Sequence, residues 1–505
     1  MTSLWYRDAI VRRQGAVALL TFLIVQWGLS TLATAQTAII PSLTVSERYD
    51  SNIFFAPKSL LSPDSKPEDF ITSVAPQINI VHQGARIGGR LFGTGIMTKY
   101  LHNPSRDYTG YNVGGQLNLT DLANQVSQRI TSLRLRGTYR STPTTTGFGA
   151  AGGGQGSGFG STSGAVLETG QVTNRASRQI YNLGVGGAYQ LTVLTTLNST
   201  YDYSRVSFGE QQGGVNNPLF DTTGHRGSTT ISTRVSPRDT VGATARMSHF
   251  IQEGSGGSGG RGSFTTIAET VNWSRLWTQQ LSTTLSGGAI FKLPVGSDIP
   301  GQSHKSQLVP TVTATMIYTS YLDEMRDAGA SEGPFDSLPA LEGSISPGGI
   351  AIPGAYTTRM SYRFSLVPSY AFGAGPLKVH VVGLNTVGGI TSKLSGQVGM
   401  NYSHGTRSAP TSTFDTFGVT VGARYLIGPV LASLTYNWLF FSREADPSLA
   451  SQPIQYEFSK KVVLLSFSYA FMSPAFFYEG ISLPSSVGTE RSPSGDGSET
   501  SRKEE

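Results

Sequence analysis

Val430-Leu431-Ala432-Ser433-Leu434-Thr435-Tyr436-Asn437-Trp438-Leu439-Phe440 alternates: Val430, Ala432, Leu434, Tyr436, Trp438 and Phe440 share one parity, opposed mainly by Ser433, Thr435 and Asn437. Successive side chains of an extended chain point to opposite faces of a sheet, so this stretch carries one apolar and one polar face. The period recurs along the chain. Leu133, Leu135 and Tyr139 oppose Arg134, Arg136, Thr138 and Arg140, and Leu394, Gly396, Val398, Met400 and Tyr402 oppose Ser395, Gln397, Gly399 and Asn401. Phe417, Val419, Val421, Ala423 and Tyr425 form another set, and Leu281, Thr283, Leu285, Ala289 and Phe291 a further one. Each segment is about ten residues long, the length a tilted strand needs to cross a hydrocarbon layer.

Composition agrees with strands and turns. Of 505 residues only 14% are charged and 38% hydrophobic, while 61 Gly and 21 Tyr are high for a globular enzyme. Aromatic and β-branched side chains suit a pleated surface, and Gly supplies turn conformations. No stretch inside the chain reads as a linker between two differently composed halves, so one large domain is the simpler organisation.

Residues 1–35 read as a signal peptide. Arg7, Arg12 and Arg13 precede an apolar run from Ala16 to Val25, and Ala33-Thr34-Ala35 supplies a small-residue cleavage site before Gln36. An uncleaved anchor is the competing reading, but the apolar run is short for a span and is followed by Gln26. Beyond it no apolar run is long enough for a transmembrane helix. A mature chain in a membrane must therefore be a closed barrel, because lipid offers no partner to an open strand edge. A soluble β-sandwich would show the same alternation.

Connection lengths favour the barrel. Gly84-Ala85, Ser236 to Asp239 and Ile427 to Pro429 are short, whereas 142–174, 209–223 and 294–304 are long, and barrels in lipid put short turns on one side and long loops on the other. Tyr139, Tyr201, Tyr203, Tyr402, Trp438, Phe440 and Phe441 gather near the long loops, where aromatic rings favour the membrane interface. The expectation is an all-β, transmembrane, antiparallel up-and-down β-barrel of about 16–18 strands over residues 36–471. Strand parity is ambiguous between about 305 and 393, where 321–355 reads as a long loop or an inserted element. Pro76, Pro310 and Pro368 fall inside apparent strands, where proline cannot donate to a ladder. They share a pattern with Pro41 that fits hairpin duplication, a bulge or a strand start.

Arg134, Arg136, Arg140, Arg234, Arg246 and Arg424 sit on the polar parity of their strands. A charge facing mid-membrane lipid is costly, so these six are the candidate lumen-lining residues. Arginines along a pore favour anions and grip carboxylates with two hydrogen bonds. The competing reading pairs them with luminal Asp and Glu, merely stiffening the wall.

Leu465, Phe467, Tyr469 and Phe471 alternate with Ser466, Ser468 and Ala470. They resemble the C-terminal signal by which the barrel assembly machinery recognises its clients, although residues 472–505 follow. That tail is rich in Ser, Gly, Pro and charge and reads as largely disordered, on the periplasmic side by hairpin parity.

Ser46-Glu47-Arg48-Tyr49-Asp50-Ser51-Asn52-Ile53-Phe54 resembles the opening strand of the β-barrel porin 2 family, whose members include outer-membrane barrels of exopolysaccharide systems. Tyr201-Asp202-Tyr203-Ser204-Arg205 and Asn401-Tyr402-Ser403-His404 echo its style at strand ends. The resemblance implies a passive conduit or scaffold in the Gram-negative outer membrane, and it carries over no binding residue.

Little else points to chemistry. The chain has no cysteine, which removes disulfides, thiolate metal sites and cysteine nucleophiles. Its charge of +6 falls to +4 without Arg7, Arg12, Arg13 and Asp8, and no basic cluster suggests nucleic acid. Gly147-Phe148-Gly149-Ala150-Ala151-Gly152 satisfies a nucleotide-loop spacing but lacks the strand-turn-helix context. The seven histidines, at 82, 102, 225, 249, 304, 380 and 404, show no metal-ligand spacing and read as loop or lumen residues. Ser248 and His249 are adjacent and so face opposite ways on a strand, which bars them from acting as nucleophile and base.

No catalytic, metal or cofactor residue is therefore expected. The partners are outer-membrane lipid, the barrel assembly machinery, and polysaccharide or small anionic solutes. The function expected is porin-like passage or export. The alternative is a non-conducting outer-membrane scaffold or adhesin presenting long loops, and a soluble secreted β-protein is the third reading.

Overall fold

Each alternating stretch becomes a strand, and the strands run β1 Gln36–Asp50, β2 Asp69–Gln83, β3 Gly88–Tyr100, β4 Tyr108–Asn118, β5 Ile130–Pro143 and β6 Arg175–Gln190. They continue as β7 Thr195–Gln212, β8 Phe220–Arg234, β9 Asp239–Gly254, β10 Arg261–Leu276, β11 Leu281–Ser297 and β12 Gln307–Thr319. The last six are β13 Tyr356–Pro368, β14 Pro376–Gly389, β15 Leu394–Ser408, β16 Thr411–Ile427, β17 Val430–Ala445 and β18 Gln455–Ala470. The structure is a computed structural model that describes residues 36–54, 58, 61, 66–84, 86–143, 175–212, 220–254, 261–297, 306–320, 354–368, 376–408, 411–445 and 455–471. The leader, the C-terminal tail and the Gly147–Gly152 loop lie outside these residues.

Every strand pairs antiparallel with its neighbours in sequence, and β1 pairs with β18, so the 18 strands close on themselves. The count is the upper end of the expected range. Closure leaves no sheet edge, the requirement that hydrocarbon imposes. The seam is the place where chain order is broken, and it runs from Ser42 opposite Ala470 to Asp50 opposite Val462.

The apolar parity is the outer face. Val398, Met400, Val421, Leu434, Leu465 and Phe467 are each 40–51% exposed, while their polar neighbours turn inward. Large apolar side chains left bare around a whole barrel make the outer surface that lipid wets and water does not.

Both described chain ends lie on one side of the barrel. On that side β6–β7, β8–β9, β10–β11 and β14–β15 share a turn built the same way. Thr192, Ser236, Thr278 and Thr391 each accept two backbone N–H bonds from residues two and three further on. The hydroxyl thus replaces water for the amides that leave the ladder. Between β16 and β17 the turn is only Gly428-Pro429, with Gly428 at φ 56°, the sign that a two-residue hairpin needs at its first central position. Two connections on this side depart from the short-turn rule. A helix, α1 Thr120–Val126, joins β4 to β5, and residues 320–355 join β12 to β13. The second departure is the source of the ambiguous parity between 305 and 393, because a long connection there sits among short ones.

The prolines fall where ladders stop. The β2–β3 register runs from Val74 opposite Met97 to Gln77 opposite Thr94, and Pro76 occupies the gap. The β12–β13 ladder ends at Val312, two residues short of Pro310. Pro368 and Pro376 face each other at the tips of β13 and β14, and Pro41 lies just beyond the first seam pair, its carbonyl accepting from Phe471. A residue without N–H is tolerated because no partner strand asks for one.

The Ser236 turn lies past the hydrocarbon-facing stretch and carries a titratable group. Ser236 Oγ donates to Asp239 at 2.7 Å, Trp273 Nε1 donates to it at 3.1 Å, and Arg275 stands 3.6 Å away. These hold the Asp239 carboxyl below the usual carboxylate range, the Ser236 bond most of all, against an opposing effect of desolvation. A carboxyl depressed on folding stabilises above its unfolded pKa and stops doing so as pH falls through its folded one. Asp239→Asn is therefore expected to lower the temperature at which the folded barrel unfolds in detergent at neutral pH. The gap from the wild type should close on acidification, read by gel mobility across a pH series.

Candidate functional site

The inner wall is basic. Among the described residues the inward parity carries Arg48, Arg90, Arg134, Arg136, Arg140 and Arg178, then Arg226, Arg234, Arg246, Arg359, Arg363 and Arg424, together with Lys292 and Lys460. The inward carboxylates on the strands are Asp50, Asp69 and Asp202 alone among the described residues. All six sequence-derived arginines lie on this parity. The other six, with the two lysines, were passed over, although the same alternation marks Arg48 beside Tyr49 and Arg226 beside His225.

The three inner carboxylates are already engaged. Arg136 donates to Asp202 at 2.6 Å, reaching across β6 over Gly184, the register partner of both. A Cβ on Gly184 would lie 2.6 Å from the Asp202 carboxylate and 2.7 Å from Arg136 Nε, so the middle strand must be bare there. Arg226 is the next register partner of Asp202 on the other side. Asp50 pairs at 2.7 Å with Lys460, whose Nζ also donates to the Asn52 carbonyl, and both side chains are under 5% exposed. Asp69 accepts from the His102 amide and from Asn103 Nδ2. Asp202 and Asp50 thus hold Arg136 and Lys460 in ion pairs. Elsewhere cations face cations, Arg140 beside Arg178 and Arg246 near Arg363 from four strands away.

The lumen differs along its length. Toward the terminus side Arg234, Arg359, Asn385 and Arg424 are exposed. Toward the loop side the inward side chains are covered: Ile71, Phe264, Val309, Val379, Thr98, Thr416 and Ser403 are each 2% exposed or less. Phe441 belongs to this set, at 3%, rather than to the outer aromatics with which it was grouped, because its parity is opposite to that of Trp438 and Phe440. Ile53 and Phe54, the last two residues of the Ser46–Phe54 stretch, pack against Ile71 and Tyr100, and the Arg106 guanidinium lies 4.2 Å over the Phe54 ring.

Four of the histidines are not lumen residues. His225, His249, His380 and His404 lie on the outer parity near the loop ends, held by Tyr201, Thr265, Tyr362 and Asp415 at 2.8–3.1 Å. They join the outer aromatics at the level where one side of a ring meets water, and polarity alone could not reveal this. His304 lies outside the described residues. Ser248 is inward and buried while His249 is outward, as adjacent residues of a strand must be. No group of three His, Cys, Asp or Glu able to hold a metal occurs among the described residues.

Leu465, Phe467 and Tyr469 are outward and exposed on β18, and the Phe471 ring meets Tyr469 edge-on at 4.8 Å, one residue beyond the strand.

No protein-family model matches the chain, and no curated protein matches it. Among solved structures it is similar to the outer membrane protein opdK from Pseudomonas aeruginosa, at 10% identity and TM-score 0.39, covering 86% of this chain and 99% of that one. It is also similar to the ferric-catecholate import receptor Fiu from E. coli K12, at 10% identity and TM-score 0.41, covering 85% and 81%. A third is Pseudomonas aeruginosa OpdO, at 11% identity and TM-score 0.38, covering 86% and 98%.

Gly184→Val should push Arg136 and Asp202 apart as effectively as Asp202→Ala removes the bond. Each is expected to cost about 1.5–3 kcal/mol, the range for a hydrogen bond to a charged group, toward its lower end because Arg136 is partly exposed to solvent in the lumen. Unfolding of the double variant should show no further loss, since both changes break one interaction.

Proposed function

We propose that the chain is an outer-membrane channel through which small anionic solutes pass passively. The observation that carries this reading is the charge imbalance of the inner wall, fourteen cationic side chains against three carboxylates among the described residues. Water fills the space between such walls, and fixed guanidiniums raise the local concentration of anions and repel cations. Arginine is suited to the role, because it stays charged and offers paired donors to a carboxylate or phosphate. Salt screens the effect over about 10 Å at 0.1 M, so selectivity should be strongest in dilute buffer. Acidic polysaccharide is the finer proposal, and the resemblance of Ser46–Phe54 to an exopolysaccharide-associated family is what supports it.

A second reading has its own support. The covered inner face at the loop end, with Phe264, Val309 and Val379 each 2% exposed, suits a scaffold or adhesin whose lumen does not conduct.

The full chain in planar bilayers separates the two. Conductance with an anion-selective reversal potential in a salt gradient is expected. Cation selectivity would overturn the anion reading, and absence of conductance would favour the scaffold. Replacing Arg246 and Arg363 together by Gln should move the anion-to-cation permeability ratio toward unity.

A further inference from the structure

The four outward histidines form two pairs. His225 and His249 are register partners on β8 and β9, and His380 and His404 are register partners on β14 and β15. The two hairpins match. Each closes on one of the hydroxyl turns, at Ser236 and at Thr391, and the histidines stand at the same distances before and after that hydroxyl in both. A hairpin turn sets the register of its strands, so like turns at like distances bring two rings side by side twice.

Each ring is held from outside its pair. His225 Nδ1 meets the Tyr201 hydroxyl of β7 at 2.8 Å, and His249 Nδ1 meets Thr265 of β10 at 3.0 Å. His380 Nδ1 meets the Tyr362 hydroxyl of β13 at 3.1 Å, and His404 Nδ1 meets Asp415 of β16 at 2.9 Å. With Nδ1 turned to the flanking strand, the Nε2 side of each ring turns toward the other histidine. The His380 and His404 ring centroids are 6.3 Å apart. Two imidazoles sharing one ion, at a metal-to-nitrogen distance of about 2.0–2.1 Å, have centroids about 5–6.5 Å apart. The spacing admits an ion between the two Nε2 atoms.

The chemistry of the rings agrees. A carboxylate can only accept, so neutral His404 carries its proton on Nδ1 and keeps the Nε2 lone pair free. The hydroxyl oxygens at the other three rings can accept in the same way. Metal-ligating histidines are ordinarily fixed like this, with the second ring nitrogen bonded to an oxygen. Asp415 is itself held by the Tyr402 hydroxyl, which donates to it at 2.6 Å, and the His380 ring is stacked on Phe364 at 4.3 Å. Among the described residues no hydrogen bond engages Nε2 of any of the four.

We propose that each pair holds one divalent transition-metal ion between its two Nε2 atoms, of the kind imidazole accepts, such as zinc, nickel or copper. Water completes the coordination, since the rings stand near the loop ends. Two side-chain ligands rather than three make the sites exchangeable. The proposal holds whatever the lumen carries.

Cu²⁺ titrated into the folded full chain in detergent tests this, with the bound ion read by electron paramagnetic resonance. Two equivalents should bind, each with the signature of two imidazole nitrogens. His249→Gln and His404→Gln should each remove one such equivalent and the double variant both, whereas His82→Gln should remove neither. Asp415→Asn keeps both imidazoles of its pair and should weaken binding there by about 10-fold, the scale of a lost carboxylate partner. Fewer than two such equivalents in the wild type, or two retained by the double variant, would overturn the proposal. Should the variants fail to fold, the nitrogen count of the wild type decides by itself.

Discussion

Backbone N–H and C=O groups in hydrocarbon have no water to bond, and a chain that places strands there must pair each group with another strand. That requirement explains why the first and last strands meet, although they are the most distant in sequence. Their ladder is short, nine pairs from Ser42–Ala470 to Asp50–Val462. Beyond it β1 ends while β18 still extends toward the loops. Side chains and the following loop take over there: Lys460 binds Asp50 and the Asn52 carbonyl, and Ser51 exchanges bonds with Lys461. A buried ion pair is no strong source of stability, but breaking one from a single side typically costs about 3–5 kcal/mol. It therefore fixes which residues may meet at the seam more than how tightly they hold.

The same constraint sorts the side chains. Outward positions are solvated by lipid and inward ones by water or protein, so a strand with period two carries two different surfaces a few ångströms apart. Lys460 and Lys461 illustrate it, adjacent in sequence, one 2% exposed in an ion pair and the other outward and exposed. Proline survives under the constraint at breaks in pairing, and Ser or Thr in a turn is useful because its oxygen bonds the amides that the ladder releases.

Much of this architecture was legible from residues alone. Alternation in stretches such as Leu394–Tyr402 reports which parity meets lipid, and it put Arg134, Arg136, Arg140, Arg234, Arg246 and Arg424 on the inner parity. The rest depends on distances that sequence does not carry. Arg363 lies in the stretch where a long connection on the terminus side obscured the parity. The Lys460–Asp50 pair joins residues at opposite ends of the barrel sequence, and Gly184 matters only because Arg136 and Asp202 lie on either side of it. His225, His249, His380 and His404 were misjudged because a polar residue was expected to avoid the outer face. A ring held by tyrosine or aspartate near the membrane boundary has no such reason to turn inward. The repeated turns at Thr192, Ser236, Thr278 and Thr391 were the signal most open to discovery, since hydroxyls recur two residues after the ends of β6, β8, β10 and β14.

The two ends of the barrel are built from different interactions, and this bears on how a solute would traverse it. The terminus end is held largely by local hydrogen bonds in short turns, beside the longer connections from β4 to β5 and from β12 to β13, and Arg234, Arg359 and Arg424 are exposed there. The loop end is held by packing, with Ile53 and Phe54 against Ile71 and Tyr100, and Phe414 clustered with Phe441 and Phe458. Local bonds in tight turns depend little on the rest of the molecule, whereas packed side chains gain stability from each other and yield together. Attraction and admission are then separate. In the channel proposed above, the arginine field would act over a Debye length and draw anions without discriminating by shape, while the covered end would discriminate by what a solute must displace. A channel of this design would owe its charge preference to the wall and its size limit to the loop end, and substitutions in one would leave the other largely intact.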